Sequence, residues 1–123
     1  MERTVIDYNK NDHKITVKTI DKHIKIISDG VVIVETDDAL MLSEQGHGDT
    51  VYIPVRDAKL KYFKESSTKS TCPYKGTADY YSLNINGKEK KDAVWRYIKP
   101  SLDFIPIKDY MAFDPNSIER IEL

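Results

Sequence analysis

The apolar positions of this chain fall into short runs, several of which alternate with polar residues at a period of two. Residues 14–19 (KITVKT) and 23–28 (HIKIIS) are rich in β-branched side chains and alternate in part, the pattern of half-buried strands. Asp29-Gly30 follows as a turn, since glycine accepts positive φ and aspartate tolerates it. Residues 31–35 (VVIVE) then return, so 23–36 read as a β-hairpin.

Further on, 39–42 is too short for periodicity to separate a strand from a helical turn. Residues 45–49 (QGHGD) form a loop by composition, and 51–55 (VYIPV) a strand in which Pro54 removes one ladder donor, placing it at an edge, an end or a bulge. A further strand is expected within 57–63, through Leu60, Tyr62 and Phe63. The hydroxyl-rich stretch 65–71 (ESSTKST) reads as a polar loop leading into Cys72-Pro73. Residues 80–85 (YYSLNI) and 93–98 (AVWRYI) read as strands joined through Asn86-Gly87, a strong hairpin turn, with the lysine-dense 87–91 as the exposed tip of the connection.

Lys99-Pro100 ends that second hairpin, and Ile105-Pro106 predicts an extended or turned segment rather than a helical one. Residues 110–113 (YMAF) read as a strand, 114–116 as a turn, and 117–123 as either a strand or a short helix. Residues 1–11 carry little signal, an irregular arm or weak edge strand. With no long helix and no repeat, the pattern predicts a mainly β fold: a single antiparallel domain of two sheets, or a partly open barrel, around one core, with little helix.

Composition narrows this picture. At 123 residues the length suits one domain, able to bury roughly two thirds of the surface its unfolded form exposes. Nineteen Lys and Arg against twenty Asp and Glu give a net charge of −1, so bulk charge offers no attraction to nucleic acid or to an anionic membrane. One cysteine makes no intramolecular disulfide and cannot supply the thiolate pairs usual in structural zinc sites, which favours a reducing compartment. No run approaches the ~18 apolar residues of a membrane span, and the start of the chain is polar. A soluble, cytoplasmic protein is the expectation.

Candidate chemistry concentrates in Thr71-Cys72-Pro73-Tyr74-Lys75-Gly76. Cys72 is the candidate nucleophile, with Lys75 nearby to favour a thiolate; the competing reading is a buried, packing cysteine with no histidine or second thiol beside it. Lys75 before Gly76 suits a phosphate or carboxylate held beside backbone N–H groups, although GxxxxGK[ST] is absent. The plain alternative is a lysine that packs its stem and keeps its charge in water. His13, His23 and His47 show no ligand spacing, so no metal is predicted, nor any cofactor. Tyr52, Tyr74, Tyr80, Tyr81, Trp95 and Tyr97 lie on or beside the strands flanking the motif, where those not in the core would line a concave surface for a small organic ligand or a peptide. Arg56, next to the strand bearing Tyr52, joins Lys75, Gly76, Tyr52, Tyr81 and Trp95 as a candidate ligand-binding residue.

Tyr52-Ile53-Pro54, Asp57, the Thr71–Gly76 motif with Ala78 and Tyr80-Tyr81, then Ala93-Val94-Trp95 with Tyr97 and Pro100, and finally Tyr110-Met111-Ala112-Phe113, resemble the domain-of-unknown-function family 427. The likeness runs in order from about Val31 to the C-terminus. It implies a compact, mostly antiparallel domain of the β-tent type over 21–123, with 1–20 as an extension or edge strand. That architecture is shared with methionine-R-sulfoxide reductases and several zinc-bearing proteins. Such relatives often hold zinc with two CxxC pairs; Cys72 stands alone here, so the zinc site does not carry over. The family has borne a nucleotidyltransferase label, for which this chain shows no glycine-serine phosphate motif with paired aspartates.

The leading expectation is therefore a cleft bordered by Cys72, Lys75, Tyr52, Tyr81 and Trp95 that binds a small molecule, with Lys75 anchoring an anionic group and Cys72 either reacting or packing. Two alternatives stand beside it: a non-catalytic interaction module that holds a protein partner on a sheet face or edge, and a motif that is purely structural. A monomer and an edge-to-edge homodimer both fit.

Overall fold

A computed structural model of the chain describes residues 2–122. Its eleven strands are β1 (Thr4–Lys10), β2 (His13–Thr19), β3 (Ile24–Ser28), β4 (Val31–Thr36), β5 (Leu40–Glu44), β6 (Thr50–Pro54), β7 (Phe63–Cys72), β8 (Gly76–Ile85), β9 (Lys88–Pro100), β10 (Tyr110–Phe113) and β11 (Arg120–Glu122). They form two antiparallel sheets. The larger runs β1-β2-β5-β6-β10-β9-β8-β7, open at both ends, and the smaller runs β11-β3-β4. The mainly β, two-sheet expectation holds, and neither sheet closes into a barrel.

The period of two decides where the core lies, because successive residues of a strand face opposite ways. In β6 and β10, Ile53 and Met111 face the small sheet and pack with Ile24, Ile26 and Ile33. Their neighbours Tyr52 and Ala112 face away, into a second cluster with Ile15, Val17, Leu42 and Phe104. The large sheet is thus apolar on both faces. The hairpin turns fall where the sequence places them, with Asp29 (φ 49°), Gly30 (φ 75°), Asn86 (φ 53°) and Gly87 (φ 80°) all left-handed, as a two-residue hairpin turn requires.

Four expectations are corrected. Within 57–63 the chain makes 3₁₀ turns at Val55–Asp57 and Leu60–Tyr62 rather than a strand, because Leu60, Tyr62 and Phe63 do not keep a period of two and the backbone must turn from β6 into β7. The stretch 65–71 is ladder, not loop. As the edge strand β7 it pairs only with β8, so hydroxyl side chains suffice on its wet positions. The lysine-rich 87–91 is not a free tip, since β9 begins at Lys88 and the Lys90 ammonium reaches Ser28 Oγ at 2.9 Å and the Ser117 carbonyl at 2.8 Å. Ile105-Pro106 lies inside a 3₁₀ helix, Leu102–Ile107. Three residues per turn put Phe104 and Ile107 on one side, and burying both offsets the bond that Pro106 does not donate.

The undecided segments also resolve. Residues 40–44 are strand β5, 120–122 are strand β11, and 4–10 form the edge strand β1, paired along β2. Among the described residues no helix is long and apolar enough to cross a membrane.

The Cys72–Gly76 segment is the tip of the β7–β8 hairpin, with Cys72 facing Gly76 across the ladder. Gly76 has φ 115°, and a Cβ there would meet the Lys99 carbonyl oxygen at 2.9 Å and Pro100 Cα at 3.2 Å. Both neighbours are backbone of β9, which cannot swing aside. Gly76→Ala should therefore cost about 2 kcal/mol or more, from the left-handed backbone and the close approach together. A urea midpoint equal to that of the unsubstituted chain would contradict this.

Candidate functional site

The hairpin tip that carries Lys75 is tied down from below. The Ser101 amide donates to the Lys75 carbonyl at 2.9 Å, and the Ser101 hydroxyl donates to the Tyr74 carbonyl at 2.6 Å. Within the tip the Lys75 amide donates to Cys72 Sγ at 3.4 Å. This fixes the backbone of residue 75, so its side chain leaves in one direction. It runs over the face of Tyr97, with Nζ 5.9 Å from the ring centre, and ends on Glu44 Oε1 at 2.7 Å.

Glu44 is the residue that the sequence reading missed. It closes β5, and the ion pair is almost enclosed, with side chains 11% (Lys75) and 10% (Glu44) exposed. Glu44 Oε2 lies 2.9 Å from His13 Nε2, and since an ionised carboxylate only accepts, that imidazole nitrogen carries the proton. His13 in turn stacks on Tyr74, centroids 4.1 Å apart. His47, more exposed, stands 3.8 Å from Glu44 Oε2. Burial on its own would push the Glu44 carboxyl up, but the hydrogen bonds from Lys75 and His13, with the charges of Lys75 and His47, outweigh it and hold the group below the ordinary glutamate range. One signal did exist: in Leu40-Met41-Leu42-Ser43-Glu44, alternation puts the acid on the same face as two core leucines.

This pair borders a cavity of about 610 Å³. Tyr52, Cys72, Lys75 and Trp95, four of the sequence-predicted residues, all line it, joined by Tyr74, Tyr80 and Tyr97. Trp95 Nε1 donates to the Tyr52 hydroxyl at 3.4 Å, and Tyr80 lies against Trp95 with centroids 6.5 Å apart. Burial raises the Tyr52 phenol to about 12, and burial raises that of Tyr97 as well. Both therefore remain proton donors across the physiological range. The Tyr97 hydroxyl makes no hydrogen bond to any described residue, though the side chain is only 6% exposed.

The other candidates lie apart. Tyr81 faces the opposite side of the sheet, beside Arg96, Phe63 and Met111. Arg56 is paired with Asp38 near Asp57, away from the hairpin tip. Gly76 shapes the hairpin without lining the cavity. Cys72 is half-buried, with its sulfur engaged by the Lys75 amide. Among the described residues no group of three or more His, Cys, Asp or Glu is placed to hold a metal ion.

The ion pair makes a pH-dependent contribution to stability. Glu44 has its folded-state pKa below the unfolded value of about 4.3, so its contribution is complete above that pH and is lost as pH falls through the lower folded value. Lys75→Met should cost about 3 kcal/mol at neutral pH by leaving the enclosed carboxylate without its ammonium. The deficit should shrink as pH falls below the unfolded glutamate value, because protonation of Glu44 removes the uncompensated charge from the variant. Urea midpoints measured from pH 7 to pH 3 check this, and a constant gap would contradict it.

No curated protein matches the chain. Residues 16–122 match the family described as "Domain of unknown function (DUF427)", a span that starts in β2 and includes every strand after it. Together with the hairpin-tip motif and the strands around it, that match places the chain in the DUF427 family.

Proposed function

We propose that this protein binds a small, planar, uncharged organic molecule in the cavity beside Lys75, one that presents an acceptor oxygen and an N–H donor side by side, as a carboxamide or lactam does. The observation that carries this reading is the Tyr97 hydroxyl. Its ring is buried, while its hydroxyl bonds to no described residue and keeps contact with the open volume, where an acceptor oxygen can meet it. The Tyr52 hydroxyl adds a second donor, since it accepts from Trp95 and keeps its own proton uncommitted. On the acceptor side, each Glu44 oxygen uses one lone pair on Lys75 or His13 and retains another.

Charge argues for a neutral ligand. Glu44, Asp92 and Asp114 line the cavity against Lys75 and His47, and the Lys75 ammonium is already held by Glu44. The anion anchor expected from the sequence is thereby neutralised. Trp95, Tyr80 and Tyr74 supply faces on which a planar ring can stack, and the volume falls within the roughly 300–1,000 Å³ of small-molecule sites. In this reading Cys72 is a wall residue.

Trp95, the sole tryptophan, reports directly on occupancy. Titration with benzamide and nicotinamide should change its fluorescence saturably. Tyr97→Phe should weaken that binding about tenfold, while leaving the urea midpoint unchanged, because the hydroxyl bonds to no described residue. A flat response across a panel of carboxamides and lactams, with no retained small molecule in native mass spectrometry, would sink the proposal.

A further inference from the structure

Arg96 follows Trp95 in β9 and so points to the other face of the large sheet. Its side chain is only 20% exposed, yet it makes no hydrogen bond to any described residue, and its Nε is a buried polar atom without a partner. The nearest carboxylate, Asp109, is 4.0 Å away and itself 83% exposed. Asp79, across the ladder, is taken by Lys69. A guanidinium carries five N–H donors, and enclosing it without acceptors is among the costlier arrangements in a fold.

What Arg96 borders is a cavity of about 250 Å³ walled by Leu60, Phe63, Tyr81 and Met111, with Glu65 at its rim. Leu60 is 55% exposed, an apolar side chain left at the surface beside this opening. Planar guanidinium donors match a carboxylate through two parallel bonds, and the apolar walls match a hydrocarbon body. The volume is below that usual for drug-sized ligands, which limits the body to one ring or a short branched chain.

We infer that this cavity is a second binding site, which takes a small carboxylate with an apolar body on Arg96. It is independent of the cavity beside Lys75, whose acidic residues disfavour the same ligand. Glu65 tempers the affinity without blocking Arg96, because its exposed side chain stays solvated.

The test uses the full chain and benzoate, with benzyl alcohol as the uncharged control. In a nuclear magnetic resonance titration, benzoate should shift the Arg96 Nε–Hε signal and the Met111 methyl saturably and leave the Trp95 indole signal in place. Benzyl alcohol should do so at least about tenfold more weakly, the worth of a charge-assisted hydrogen bond. Arg96→Gln should reduce benzoate affinity about tenfold. Should that variant fail to fold, Glu65→Gln, at an exposed position, should tighten benzoate binding. Equal affinity for benzyl alcohol, movement of the Trp95 indole instead, or the absence of saturable shifts would overturn the inference.

Discussion

The contact between Lys75 and Glu44 ties together two distant parts of the large sheet. In its strand order β5 and β8 are separated by β6, β10 and β9, four steps of hydrogen-bonded spacing, or about 19 Å if the sheet were flat. Two side chains, one at the end of β5 and one at the hairpin tip before β8, nevertheless meet at 2.7 Å. They meet only because the sheet curls strongly toward that face. The cavity lies in the hollow of that curl, bordered by the enclosed ion pair.

That geometry explains why the fold was more legible in the sequence than the site. Strands such as 31–35 and 93–98 announce themselves through β-branched residues, and Asp29-Gly30 and Asn86-Gly87 mark their turns, because each signal is local. The partnership of Lys75 with Glu44 and His13 joins residues 31 and 62 positions apart, and sequence spacing holds no trace of a sheet's curl. Tyr52, Cys72, Lys75 and Trp95 were found because the hairpin tip and its neighbouring strands are close in the chain or rich in aromatics. Tyr81 was assigned to the same wall as Trp95. Alternation separates them: Tyr80 pairs with Trp95 across the ladder, so Tyr81, one residue on, takes the other face. Strand β7 was misread because a hydrophobic alternation is needed only where a strand has a core to face.

Strand β9 divides two chemistries. On one face Trp95 and Tyr97 look into an aromatic hollow where carboxylates are abundant and the one enclosed ammonium is neutralised. On the other, Arg96 sits without a hydrogen-bonding partner among apolar side chains. Adjacent positions in one strand thus meet opposite electrostatic surroundings at a separation of a single residue, a direct outcome of the pleat.

The irregularity of β7 has an effect beyond its own hairpin. An outer strand with free backbone groups invites a neighbouring molecule to add another strand, and β7 is ten residues long. Its register shifts between Glu65 and Lys69, and there Ser66 and Thr68 turn their hydroxyls inward onto the Asp92 carboxylate, with Ser66 also accepting from the Thr68 amide. The exposed border of the sheet is therefore neither straight nor apolar, and it carries Lys64 and Lys69. The hydroxyls and charges that disguise this strand in the sequence are also the features that make an outer strand a poor template for a further one.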